Sequence, residues 1–242
     1  MTAEKQSALQ TIEEKRDLIT GIADKIWEFA ELSLQEFKSA AAYCEALEKE
    51  DFEVERGTCN IETAFAASYG HGRPYIGILA EYDALSGLSQ EAGLIERKAI
   101  QEGGNGHGCG HNLLGAGAFA AALGVKAYLE KNEMEGTVIL YGCPGEEGGA
   151  AKAFMARDGL WKKLDAALTW HPEDVNEVAT GSSNPPRRSD PPASCQCWQA
   201  AGRSWRAGRR PAGQGRLCQR CRPPCRRPCG RPAWRRSAGR SG

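Results

Sequence analysis

The chain has 242 residues, 41% of them hydrophobic, enough to bury one large core or two small ones. Its formal net charge of zero averages two unlike parts: positions 1–183 carry 30 acids against 16 Lys and Arg, and positions 184–242 carry 15 Arg against one acid, Asp190. The stretch Met1 to Arg16 is polar, with no signal-peptide pattern, and the longest uncharged apolar run is short and rich in Gly and Ala. A membrane-spanning protein is therefore not expected, and a cytoplasmic, acidic, enzyme-sized body is.

From Ser7 to Ala30, Leu9, Ile12, Leu18, Ile19, Ile22, Ile26 and Phe29 recur at helical spacing, which predicts one amphipathic helix. A second is predicted from about Glu36 to Glu50. After a turn at Arg56-Gly57-Thr58, Ile61 to Tyr69 has strand character, and Gly70 to Pro74 reads as a connecting loop. Tyr75 to Ala80 is a short apolar strand leading into Glu81-Tyr82-Asp83-Ala84-Leu85. Asn112 to Lys131 is predicted helical, with Asn112 available as its cap. Thr137 to Gly142 is a further strand, ending in Cys143-Pro144-Gly145-Glu146-Glu147-Gly148-Gly149. A helix from Ala150 to Asp158 and a strand from Asp165 to Trp170, closed by His171-Pro172, complete the pattern.

Apolar strands alternating with helices predict an α/β fold of three layers (α/β/α) around a mostly parallel sheet. In such sheets, sites form beyond the carboxyl ends of the strands. Asp83, the pair Glu146 and Glu147, and His171 all fall there. Cys109 and His111, in the run Gly106 to Asn112, precede a helix packed on the same sheet. Thiolate, imidazole and carboxylate together suit zinc, manganese or a similar divalent ion. Adjacent glutamates in a loop point in different directions, so one is expected on the metal and the other over a water as general base. Blander roles compete: Cys109 as a small buried hydrophobe, the glutamates as a solvated helix start, His171 as a core histidine, Asp83 as a turn former. The convergence of four segments weighs against them. His107 is expected to bond locally, His71 to lie on the surface, and Cys143 to pack. Cys44, Cys59, Cys109 and Cys143 show no disulfide spacing.

The motifs Glu81-Tyr82-Asp83-Ala84-Leu85, Gly-His-Gly-Cys-Gly-His-Asn, Pro-Gly-Glu-Glu-Gly-Gly and Leu-Thr-Trp-His-Pro occur in the order seen in metal-dependent aminoacylase- and carboxypeptidase-like amidohydrolases. The resemblance covers roughly residues 5–183 and is strongest to the aminobenzoyl-glutamate hydrolase group. It implies Cys109, His111, Glu147 and His171 as metal ligands, Glu146 as general base, and Asp83 as the residue that orients a ligand. Glu81 stands where more distant relatives have a metal-binding His. The implied activity is hydrolysis of an amide in an N-acyl-amino acid such as aminobenzoyl-glutamate, or in a dipeptide, commonly with two manganese or zinc ions. The intact family forms homo- or hetero-oligomers.

After Ser183 the composition changes. Of the 59 residues from Asn184 to Gly242, 38 are Arg, Pro, Gly or Ala, Leu217 is the one aliphatic residue larger than Ala, and Lys is absent. Such a segment is expected to be disordered. Its amino acids share G/C-rich codons, so we read it as a shifted reading frame, and translation of another frame is expected to restore apolar strands. An alternative is a basic arm for nucleic acid or zinc, using Cys195, Cys197, Cys218, Cys221, Cys225 and Cys229. The absence of any accompanying His and of a repeating pattern weighs against it. On the family pattern, the lid or dimerisation domain, a further metal-binding His and the closing strands would all follow residue 183. The body, positions 1–183, is thus expected to be the N-terminal half of a catalytic domain, incomplete and poorly active, with an exposed apolar edge.

Overall fold

The computed structural model describes residues 2–173. The expected segment 184–242, with its disorder, its frame and its binding alternatives, lies outside the described residues, as do positions 174–183.

Among the described residues, five α-helices and five strands follow in the order α1 (Ala3–Glu14), α2 (Arg16–Phe29), α3 (Phe37–Lys49), β1 (Glu53–Arg56), β2 (Phe65–His71), β3 (Tyr75–Ala80), α4 (His111–Lys131), β4 (Gly136–Gly142), α5 (Ala151–Arg157) and β5 (Ala166–Leu168), with a short 3-10 turn at Thr58–Asn60. The strands form one sheet in the order β1-β2-β4-β3-β5. β4 pairs parallel with β3, and β3 parallel with β5. The α/β class is as expected, but the sheet is mixed, because β1 pairs antiparallel with β2 and β2 antiparallel with β4. Connection length explains this. The loop between β2 and β3 has only three residues, Gly72 to Pro74, too few for a parallel crossover. The two strands form a split hairpin, and β4 inserts between them.

Successive side chains along the strands point to opposite faces, which divides the core in two. Val138 and Leu140 of β4, with Ile78 and Ala80 of β3, face α2, α3 and α4. Ile139 and Tyr141 of β4, with Leu79, face Ala151 and Met155 of α5. β4 is buried at all seven positions. Each fully buried Leu or Ile side chain contributes about 1.5–3 kcal/mol, so this strand anchors the domain. α4 is 21 residues long and apolar enough to cross a bilayer by composition, yet it is the core helix, packed on β3 and β4. Its glycines allow that approach: a Cβ at Gly115 would overlap the Tyr43 hydroxyl and lie 2.7 Å from the Glu81 carbonyl oxygen.

Several local expectations are corrected. The first helix is two, broken at Lys15, whose ψ of 9° departs from helical geometry. The hydrophobic period runs through the break because α1 and α2 both pack on α4. β1 escaped the sequence pattern because Glu-Val-Glu-Arg is an edge strand with three exposed charged residues. Asn112 does not cap α4; Gly110 holds the cap position and Asn112 is buried, donating to the Ala23 carbonyl at 3.4 Å. His107 bonds not locally but across the fold, Nε2 to the Ile26 carbonyl at 2.9 Å, beside Trp27.

Candidate metal centre

The three parallel strands β3, β4 and β5 end at one edge of the sheet. Beyond β3 the chain stays extended, Leu32 bridging Ala84 and Leu85 bridging Gly106. The second bridge closes the loop of residues 86–105 and delivers Cys109 and His111 beside Asp83. Gly110 makes the final bend possible. Its φ of +80° is a left-handed conformation, and a Cβ there would meet Pro172 Cγ at 2.9 Å. That close approach brings His171-Pro172, beyond β5, against the Cys109 loop.

His111 is the centre of the arrangement and is 1% exposed. Its Nδ1 lies 2.9 Å from Asp83 Oδ1 and 3.1 Å from the Asp83 carbonyl oxygen. Asp83 Oδ2 accepts the Ser33 hydroxyl at 2.9 Å and the Glu147 backbone N–H at 2.9 Å. Burial by itself pushes the Asp83 carboxyl up, but the bonds from His111, Glu147 and Ser33 outweigh it and hold the group below its ordinary value. His111 shows the mirror case. Burial pulls it down, and the hydrogen bond and charge of Asp83, with Glu81 and Glu147, raise it overall.

With Nδ1–H directed at Asp83, Nε2 presents its lone pair to the rim, the tautomer a metal-ligating histidine needs. That nitrogen is buried and has no hydrogen-bond partner among the described residues. It lies 3.1 Å from Glu81 Oε2, without hydrogen-bond alignment, and 4.0 Å from Glu146 Oε2. Cys109 Sγ is 3.3 Å from His171 Nε2, and the His111 and His171 rings meet edge to face at 5.7 Å. Donor atoms of Cys109, His111 and His171 all lie within 4.8 Å of one another, as do those of Glu81, His111 and Glu146. The buried unpartnered nitrogen amid thiol, imidazole and carboxylate donors fits a divalent ion.

Electrostatics separates this from a cysteine nucleophile. Burial, then the Glu147 carboxylate against the thiol, then Glu146 and Glu81, push Cys109 up to about 12. An activated nucleophile needs the opposite shift. A thiolate at this position requires a cation.

Of the six residues expected in the site, Cys109, His111 and His171 converge, and Asp83 orients His111. Glu147 stands beside the Cys109 thiol, and Glu146 reaches toward His111. Three participants had no local sequence signal. Glu36, fully buried, accepts the Gly145 N–H at 2.7 Å and the Thr63 hydroxyl at 3.1 Å. Ser33 bonds Asp83, and Lys152 pairs with Glu81. Glu36, Asp83 and Glu81 thus hold the loop that carries Glu146 and Glu147 at its start, middle and end. Cys143 is buried packing, pushed up to about 12 by burial, and His71 is exposed. A cavity of about 550 Å³, lined by Leu34, Phe37, Ile61, Phe154 and Arg157, holds none of these donors. The centre is instead an open rim.

Residues 77–209 match the peptidase family M20/M25/M40, a match that contains Glu81 to His171 and runs past position 183. The chain belongs to this family. Over 162 residues it is 55% identical to one subunit of the p-aminobenzoyl-glutamate hydrolase of Escherichia coli K12, covering 67% of this chain and 34% of that protein. A proposed aminohydrolase from methicillin-resistant Staphylococcus aureus superposes with a TM-score of 0.57 at 25% identity, over 69% of this chain and 42% of that one. A Bacillus subtilis M20 protein, a dinuclear metal-binding peptidase, shares the fold with a TM-score of 0.54 at 24% identity, over 66% and 44% of the two chains. The chain spans between a third and two fifths of the length of the curated relatives it matches.

Proposed function

We propose that this M20 chain supplies the first part of a site that hydrolyses the amide bond of an N-acyl-amino acid, with aminobenzoyl-glutamate as the leading candidate. The observation that carries this reading is the buried, unpartnered Nε2 of His111 among thiol and carboxylate donors. The 55% identity to a p-aminobenzoyl-glutamate hydrolase subunit supports the substrate class. Cys109, His111, Glu147 and His171 would hold the ion, manganese or zinc, and a pair of ions is our reading of the complete site. A divalent ion there supplies Lewis-acid polarisation of the carbonyl and lowers the pKa of a water.

The chain's own residues do the rest. Asp83 fixes the His111 tautomer. Glu146, half-exposed at the rim, takes the proton of the attacking water as its oxygen bonds the carbonyl carbon. The C–N bond then breaks, and Glu146 returns that proton to the departing amine, which restores the carboxylate. The E. coli relative is one subunit of its enzyme, which supports a hetero-oligomer as the working form here. Four free thiols among the described residues fit a cytoplasmic setting.

Residues 1–173 joined to the remainder of the E. coli relative should hydrolyse p-aminobenzoyl-glutamate with added Mn²⁺. Glu146→Gln in that chimera should cost roughly 10²–10⁴-fold in kcat, the usual worth of a general base. A chimera that turns over equally well with Gln at 146 would end the reading. The chain alone should turn over poorly, and a rate near that of a full-length relative would refute its incompleteness.

A further inference from the structure

The Glu81 carboxylate, on the first residue beyond β3, is nearly inaccessible to solvent. It has two contacts. Oε1 takes the ammonium of Lys152, in the first turn of α5. Oε2 lies 3.1 Å from His111 Nε2. The second contact is not a hydrogen bond: Nε2 has no partner among the described residues, and its ring directs Nδ1 at Asp83. When the imidazole is neutral, as a metal-ligating histidine is, two lone pairs face each other across 3.1 Å in a buried setting, a repulsion that a cation between them relieves. Donors about 2.1 Å from one ion are separated by roughly 3.0–3.4 Å when they subtend an octahedral or tetrahedral angle. The observed 3.1 Å falls within that range, and the missing hydrogen-bond alignment favours two ligands of one ion over a direct pair.

We propose that Glu81 is a further ligand of the divalent ion, binding through Oε2, and that Lys152 is the positioning residue that aims it. The ammonium holds Oε1 and leaves only Oε2 to face His111. It plays the part that a hydrogen-bonded partner plays behind a metal-ligating carboxylate. The same pair ties the first turn of α5 to the end of β3, and so fixes the far end of the loop carrying Glu146 and Glu147. The ligand set implied by the family resemblance does not include Glu81 or Lys152. The inference rests on the metal-dependent reading of the site.

The test is a Co²⁺ titration of the purified full-length chain stripped of metal. Thiolate charge-transfer absorption reports Cys109 and the d–d bands report the coordination sphere. Cys109→Ser measures the background from the six cysteines beyond residue 194. Glu81→Gln should weaken binding at least tenfold and change the d–d bands, about the loss expected when a ligand or its support is removed. Glu81→His, which restores a donor but abandons the ion pair, should bind within about threefold of wild type. Lys152→Met should weaken binding about threefold to tenfold, and Lys152→Arg should restore it. Wild-type affinity and spectrum in Glu81→Gln would overturn the proposal. So would equal losses in the Gln and His variants, the mark of a merely structural pair. Circular dichroism checks folding; should Glu81→Gln not fold, loss of Co²⁺ in Glu81→His overturns the proposal by itself. A wild-type spectrum no different from Cys109→Ser would instead remove the metal site as a whole.

Discussion

The rim of the sheet has two halves of unlike construction. Asp83 and His111 are buried, 1% exposed each, and every polar atom of the Asp83 carboxylate is engaged by a residue from a different segment. His171 and Glu146 have side chains about 40% exposed, and the Cys109 thiol meets the candidate donors His171 and Glu147. The first half is organised by hydrogen bonds whose loss would disturb the core. The second half is positioned by backbone geometry at Gly110 and by the loop held by three acids. This contrast teaches that tautomer and orientation are built into the core, while ion capture is left to the exposed half.

The contrast is open to attack from the largest expected effect downward. Asp83→Ala strips the buried His111, the Glu147 N–H and Ser33 of their shared acceptor, and should destabilise the chain by about 3–5 kcal/mol in urea unfolding. A loss under about 1 kcal/mol would mean the buried half is not organised by Asp83. Gly110→Ala forces a side chain into the left-handed region and toward Pro172, and should cost about 1–2 kcal/mol. His171→Ala, on the exposed half, should change metal-free stability by no more than about 0.5 kcal/mol. A larger loss would show that this half too is part of the core.

The smallest effect is the most discriminating, because two acids that hold the same loop should respond to pH in opposite senses. Asp83 is held below its unfolded value near 3.8, so its contribution is present above that pH and fades as pH falls through the lower folded value. Glu36 is raised above 4.5 by burial, with Asp83 adding to the shift against bonds from Gly145 and nearby backbone. Its contribution is full below 4.5 and is lost as pH rises through the raised folded value. Glu36→Gln should therefore gain stability relative to wild type as pH rises above 4.5, and the difference should close below it. Chemical denaturation across that range is the check, and a gap that widens toward acid would contradict the burial argument.

Much of this was legible in the sequence where the signal is local. Tyr75 to Ala80 is an apolar run between a Gly/Pro loop and a polar cluster, and it is β3 to the residue. Cys109 and His111 sit two apart in glycine-rich backbone, and the strand-end positions of Asp83, Glu146 and His171 follow from parallel strands sharing one polarity. What stayed hidden depends on partners far along the chain. Glu36 finds Gly145 109 residues away and Lys152 finds Glu81 71 residues away, and neither sits in a pattern that marks a buried ion. The antiparallel half of the sheet was hidden for a related reason: strand periodicity gives no direction, and only the short link between β2 and β3 sets it.

The central claim is that these donors form one site for a divalent cation, centred on His111 Nε2. Calorimetric titration of the metal-free chain with Mn²⁺, a hard ion poorly suited to the cysteines beyond residue 194, tests it most directly. Saturable binding by the wild type, abolished in His111→Ala and weakened in His171→Ala, is the expected result. Equal Mn²⁺ binding by wild type and a folded His111→Ala would contradict the account.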